Sequence, residues 1–415
     1  MGFFAESVLI DTPIASSIPK CGLCKLYKEC TTPKMKVFGK GRRGILIVGE
    51  APSRNEDEKG RPFISKSGTF LKGHLKRIGV DRDKDCWLYN ALICRPPGNA
   101  TPTDEQIEYC NPNLQNIIRE LQPKVIITLG LAATRAVTLG IWKDKMEAFG
   151  RWVGWAIPDR THNAWVCPTY HPSYVQRELE QAKMGTPIER MFHKHLKQAV
   201  RKSASAPYSG GATSLESLIE VIIDENRIVK LLEKFAKRGG PAATDLEANM
   251  LKPDAPNSRI VSASVCWRGR RTIAFPFHSR RVRVAYRKVL KRCFIIAHGS
   301  KFEQRWIWRE GDPNRIYEGG PTMPIDIIGF DTMNGAHLWD NRQKLCGLKF
   351  QAYVNFGVPT YNEAIDQFLH QKHSYKENKI NEIELHDLLL YNGMDSLLCY
   401  MLAVKQSKHF GIPLK

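Results

Sequence analysis

No apolar run in these 415 residues approaches the ~18 needed to cross a bilayer, which excludes an integral membrane protein with helical spans. Acidic residues are scarce: 42 Asp and Glu stand against 62 Lys and Arg, and the formal net charge of +20 points to a polyanion, above all nucleic acid. The amino terminus lacks the basic segment of a signal peptide, carrying Glu6 and Asp11 instead, and Glu6 stands where a myristoylation signal needs Ser or Thr. An intracellular, cytoplasmic protein is expected. An even cysteine count is also missing. Eleven cysteines in a long intracellular chain argue against a disulfide framework and make metal or cluster ligation the first alternative. No internal repeat is visible. What is present is an ordinary globular composition, 42% hydrophobic and 25% charged, in a chain longer than one hydrophobic core usually serves, so two domains are expected.

The boundary falls at residues 203–214, SASAPYSGGATS, a stretch of small residues that reads as a linker between domains at 1–202 and 215–415. Before it, the apolar runs Gly44 to Val48 and Lys124 to Leu129 read as strands, and Thr69 to Ile78, Pro102 to Leu121 and Ile188 to Lys202 as helices. The second helix is entered through the capping pattern Thr103-x-x-Gln106. This alternation predicts an α/β fold with a parallel central sheet, whose ligands bind beyond the carboxyl ends of the strands. After the linker come a helix over Ser214 to Arg238, strands around Ala242 to Glu247, Arg259 to Trp267 and Arg271 to Phe277, and then helix-rich sequence. Residues Gly39 to Gly44 fit GxGxxG as a string, but they precede a strand instead of following one, so a basic loop near phosphates is the better reading.

Cys21 and Cys24 form a CxxC pair, with Cys94 and Cys110 further on. Four thiolates can hold zinc or a four-iron four-sulfur cluster, and spacing alone does not decide between them. Around them, in order, lie Val48-Gly-Glu-Ala-Pro52, Asn55-Glu-Asp57, Gly60-Arg-Pro-Phe63, Ser67-Gly68, Tyr89-Asn90, Cys94-Arg-Pro-Pro97, Pro123 to Ile127 and Tyr170-His-Pro-Ser173. This succession, from about Cys21 to Tyr174, resembles the family 4 uracil-DNA glycosylases. The resemblance implies a 4Fe-4S cluster on Cys21, Cys24, Cys94 and Cys110, with Cys30 outside the set. Uracil removal requires a flipped base to be read, stacked upon and stabilised as it leaves as an anion. Asn90 offers a donor and an acceptor for uracil's Watson–Crick edge, and Phe63 a stacking face. Glu50, just past a strand, suits water positioning and charge stabilisation, His171 a hydrogen bond to uracil O2, and Glu56 is a second acidic catalytic candidate. Two glycines of the family pattern are replaced by Ser53 and Ser65.

In the second half, Asp245 and Glu247 stand at i and i+2 of a strand, hence on one face. Tyr391 and Asp395 stand at i and i+4 of a helix, and Phe294 to Glu303 runs from a short apolar strand into an acidic helix start. Such carboxylates suit hard divalent cations that clamp a phosphodiester. Together these segments, over about Ser214 to Leu414, resemble the DEDDy proofreading 3′→5′ exonuclease domain of family A DNA polymerases, with a ribonuclease H-like α/β fold. Phe330-Asp-Thr-Met333 and Leu345 to Phe350 fit the stretch between its second and third motifs. The resemblance implies that Asp245, Glu247, Glu303 and Asp395 bind two divalent cations, Mg²⁺ or Mn²⁺, and that Tyr391 orients the attacking water. The family has Asn where Gly299 stands and Asp where Glu303 stands.

The pairing resembles the N-terminal portion of certain bacteriophage replicative polymerases, and the sequence ends just past the third exonuclease motif. The expectation is a phage replication and repair enzyme in the host cytoplasm, acting on uracil-containing or primer-end DNA beside a separately encoded DNA polymerase. The alternative is a non-catalytic DNA-binding or processivity accessory with one or both sites degenerate.

Overall fold

The computed structural model describes residues 18–144, 146, 148–182, 185–209, 212, 214–311, 328–369 and 376–415. The described residues divide into two compact units, one holding residues 18–212 and 353–360 and the other 214–352 and 361–415. Among them no helix is long and apolar enough to cross a membrane.

The first unit is built on a five-stranded sheet of β1 (Ile45–Gly49), β2 (Cys86–Asn90), β3 (Val125–Leu129), β4 (Ile157–Asp159) and β5 (Ala164–Thr169), in the order β2-β1-β3-β5-β4. All pairs are parallel except β4 with β5. Every residue of β1 and of β3 is buried, as expected for parallel strands covered on both faces. Three helices that the periodicity predicts for this unit are present as α2 (Lys66–Arg77), α3 (Asp104–Leu121) and α5 (Pro187–Lys202), with α1 (Arg54–Lys59) and α4 (Pro172–Gln181) following strands β1 and β5. The predicted capping box is made in both directions: Gln106 N–H donates to Thr103 Oγ1 at 3.2 Å and Thr103 N–H to Gln106 Oε1 at 3.0 Å. Within residues 203–214, Tyr208 N–H donates to Asn163 Oδ1 at 3.1 Å and its hydroxyl to Pro158 O at 2.9 Å, so this part of the stretch is anchored chain.

The second unit carries a six-stranded sheet of β6 (Ile219–Val221), β7 (Gly240–Ala248), β8 (Ile260–Trp267), β9 (Arg271–Pro276), β10 (Cys293–Ala297) and β11 (Ile328–Asp331), ordered β11-β10-β7-β8-β9-β6. Strands β7, β8 and β9 are antiparallel, while β10 and β11 add in parallel beyond β7. This is the ribonuclease H-like arrangement, with β6 added at the far edge. One predicted helix is corrected. The helix expected over Ser214 to Arg238 begins only at Glu225, as α6 (Glu225–Arg238), because Asp224 caps it by accepting Arg227 N–H at 2.7 Å. The apolar Ile219–Val221 ahead of it pairs with Thr272–Ala274 as a strand. On β7 the side chains alternate. Thr244 and Leu246 are buried on the face where Thr244 meets Tyr286 of α7 (Arg280–Arg292), leaving Asp245 and Glu247 on the other. Helix α8 (Lys301–Gly311) follows β10, and the 26-residue α9 (Leu385–Phe410) lies against the carboxylate face of β7.

Candidate functional sites

In the first unit the carboxyl ends of β1, β2 and β5 bring together four of the predicted residues. Asn90 closes β2, Glu50 follows β1, and His171, two residues past β5, caps α4. Gly49 explains how Phe63 joins them. A Cβ added there would lie 2.4 Å from Asn90 Oδ1 and 2.9 Å from Phe63 Cζ, so the missing side chain is what lets ring and amide approach one slot. Phe63 adopts φ 60°, a left-handed conformation that a bulky residue holds only under constraint. The constraint is Arg82, 3% exposed, whose Nη1 donates to Phe63 O at 2.7 Å and Gly68 O at 3.0 Å. If the slot performs the uracil excision that the resemblance implies, Gly49→Ala is expected to cut it about 10²-fold through this displacement, measured by single-turnover assay, while circular dichroism remains that of the parent.

His171 and Glu50 differ in polarity of shift. Ser173 N–H donates to His171 Nδ1 at 3.3 Å, so the neutral ring carries its proton on Nε2. Burial, aided by Arg177, pulls His171 down to about 4, which keeps it a neutral donor at physiological pH. Burial pushes the Glu50 carboxyl above its ordinary value. Excision should therefore gain its acid limb from Glu50 and show no inflection near pH 6.5. The His171 contribution to stability is present above the unfolded-state value of about 6.5 and is lost as pH falls toward 4. A kcat/KM profile with melts at pH 4.5 and 7 checks both.

Glu56 is placed differently from the others. It is 5% exposed, and its two oxygens accept the Ser53 and Ser65 amides at 2.9 and 3.4 Å, tying the two site loops together. Those serines sit at φ −80° and −68° as the residues ahead of α1 and α2, ordinary extended backbone that does not require glycine. Asp57, also buried, accepts the Thr31 and Thr32 amides.

Cys21, Cys24, Cys94 and Cys110 line a single cavity with Leu26, Tyr27, Leu92 and Ile93. Lys34 N–H points at Cys94 Sγ from 3.3 Å and Asn113 Nδ2 at Cys110 Sγ from 3.6 Å, donors that suit sulfur carrying negative charge. Burial pushes Cys94 up to about 12 and Cys110 to about 11, so a cationic centre is what would hold them as thiolates. The donor set thus fits a thiolate-ligated group. Cys30 stands beside Cys94.

In the second unit, ligand oxygens of Asp245, Glu247 and Asp395 lie within 4.8 Å of one another, the one such group of His, Cys, Asp or Glu among the described residues. Burial and mutual repulsion push Asp245 and Glu247 well above the ordinary carboxylate range. The fourth candidate, Glu303, lies outside that group. It is 3% exposed, is raised by burial and by Asp245, and its Oε2 has no hydrogen-bond partner among the described residues. The acid cluster fits hard divalent cations. Gly299 adopts φ 77°, a conformation glycine takes freely and asparagine more readily than other residues, and a Cβ there would lie 2.9 Å from Met333 Cε, so the turn as built suits the glycine found. Asp331 fixes this turn by accepting the Gly299 and Ser300 amides at 3.1 and 2.9 Å.

Three functional neighbours were missed in the sequence. Asn392 Nδ2 donates to Asp245 Oδ2 at 2.6 Å. Lys349 and Tyr361 both bond Asp395 Oδ1, and Lys349 Nζ donates to the Tyr361 hydroxyl at 2.9 Å. That ammonium also lies 4.3 Å from the centre of the Tyr391 ring. Asn392 is adjacent to Tyr391 and so was open to helical reading; Lys349 and Tyr361 carry no local signal.

Residues 36–197 match the Uracil DNA glycosylase superfamily. A type-4 uracil-DNA glycosylase of Pyrobaculum aerophilum is 39% identical over 165 residues, covering 39% of this chain and 82% of the relative. A DNA polymerase of Bacillus phage SP01 is 27% identical over 375 residues, covering 82% of this chain and 37% of the polymerase. Among solved structures, the catalytic core of RRP6 from Trypanosoma brucei aligns with 49% of this chain and 50% of its own at 13% identity and a TM-score of 0.35.

Proposed function

Because the chain belongs to the type-4 uracil-DNA glycosylase family, we propose that its first unit excises uracil from DNA and its second shortens DNA from the 3′ end. The observation that carries the first reading is the slot at Gly49, where Asn90 and Phe63 converge beside Glu50 and His171. A flipped uracil stacks on Phe63 and presents its edge to the Asn90 amide. As the bond from C1′ to N1 breaks, its electrons pass to the base, and His171 Nε2–H donates to O2 where charge accumulates. Glu50 holds the water that adds to C1′ and stabilises the positive charge on the sugar. Glu56 acts by position, through the two loops it ties. Cys21, Cys24, Cys94 and Cys110 would hold a 4Fe-4S cluster, which supplies cross-linking of distant segments.

For the second unit the carrying observation is the convergence of Asp245, Glu247 and Asp395. Two divalent cations would supply Lewis acidity there, with Glu303 as a further carboxylate. Tyr391 orients the water, Asn392 holds Asp245, and Lys349 with Tyr361 holds Asp395. We place this activity beside a separate DNA polymerase in replication or repair.

The test is a 5′-labelled single-stranded oligonucleotide with one uracil, incubated with and without Mg²⁺. Alkali-labile cleavage at uracil reports excision, and a metal-dependent ladder reports 3′ shortening. Absence of either product from pure, folded protein overturns that half of the reading.

A further inference from the structure

The first unit has a second concave surface, at the amino ends of its strands. A cavity of about 660 Å³ is lined by Arg42, Arg43, Arg77, Lys124, Lys197 and Arg201, with His193 among them. Arg42 and Arg43 lie in the loop before β1, Lys124 directly precedes β3, and Lys197 and Arg201 project from α5. The register brings these elements together: Lys124 N–H donates to Gly44 O at 2.8 Å. The uracil slot lies at the opposite, carboxyl ends of the same strands. Five residues of β1 separate the two, roughly 16 Å at strand rise.

Ordinary structural needs do not account for this convergence. Arg77 has a carboxylate partner, Glu189 at 3.6 Å, but among the described residues Arg42, Arg43, Lys124, Lys197 and Arg201 have no ion pair. Arg201 in the last turn of α5 complements the helix dipole and Arg43 Nη1 donates to Gly79 O at 3.5 Å, yet that leaves Arg42 and Lys124 unexplained. Five exposed cations facing one hollow repel each other, and a bound polyanion removes that repulsion. His193, Lys197 and Arg201 recur every fourth residue, a row of about 12 Å at helical rise, long enough to meet more than one phosphate of a strand whose charges fall about every 3.4 Å along a duplex axis. Ile78 and Val200 give the hollow an apolar floor.

We propose that this hollow binds a run of adjacent phosphates, supplied by the backbone of a nucleic-acid strand or by a free nucleoside triphosphate, at a site separate from both candidate catalytic centres. The proposal rests on neither assigned activity. Its test uses the full chain in EDTA with a fluorescein-labelled, uracil-free single-stranded oligonucleotide, followed by anisotropy across a salt series, and thermal shift with dATP or inorganic tripolyphosphate. Two charge-reversal variants on different elements, Lys197→Glu/Arg201→Glu and Arg42→Glu/Arg43→Glu, guard against one failing to fold. For a strand, each pair weakens binding about tenfold or more and lowers the slope of log affinity against log salt by about 2. For a free nucleotide, oligonucleotide binding is kept and the shift with dATP or tripolyphosphate is lost. If folded variants of both pairs match the parent in both measurements, the proposal is overturned.

Discussion

Asp245→Asn is expected to abolish metal-dependent 3′ shortening, by about 10³-fold or more, while uracil-dependent cleavage continues at the parent rate. The substitution preserves shape and removes one of three carboxylates whose oxygens lie within 4.8 Å. Losing a cation ligand in the proposed two-ion centre would forfeit several kcal/mol of charge stabilisation, and about 4 kcal/mol corresponds to that factor. The backbone is insulated from the change because β7 is paired on both sides, with β8 and β10. A labelled-oligonucleotide ladder gives the rate, and Mg²⁺ should raise the melting temperature of the parent more than that of the variant. A variant that still trims DNA at the parental rate would remove Asp245 from the reaction.

The second large effect is expected at Asn90→Ala, a loss of about 10³-fold in uracil excision under single-turnover conditions. Alanine deletes both the donor and the acceptor facing the slot, so a flipped uracil is left with its polar edge unpaired in a site already largely closed to water. Asn90 is 5% exposed and closes a strand paired along its whole length with β1, so the fold should tolerate the smaller side chain. Mg²⁺-dependent 3′ shortening should be untouched. Excision that survives unchanged would mean that another group reads the base.

Much of this arrangement was legible because it is local. The two-residue period of a strand sufficed to put Asp245 beside Glu247, and the four-residue step of a helix put Asp395 over Tyr391. Asn90 and Glu50 were legible as residues at strand ends, where parallel sheets present their ligands. What stayed hidden was set by contacts between distant segments. Lys349 and Tyr361 meet Asp395 only because their segments pack beside α9, and Arg82 reaches Phe63 from the turn ahead of β2. Glu56 carried the right charge for catalysis, but its distance from Ser53 is that of a helix cap, and the structure uses it that way. The amino end of α6 was misjudged because Ile219–Val221 has helical spacing to Ile228 and a strand partner only in three dimensions.

The ammonium of Lys349 lying on Asp395 also bears on the charge balance of the acidic cluster. A cluster of buried acids repels itself unless a cation offsets the charge. Here the neutralising charge is encoded in the same polypeptide, forty-six positions upstream of Asp395. One of the three converging carboxylates thus has its counter-charge within the polypeptide itself.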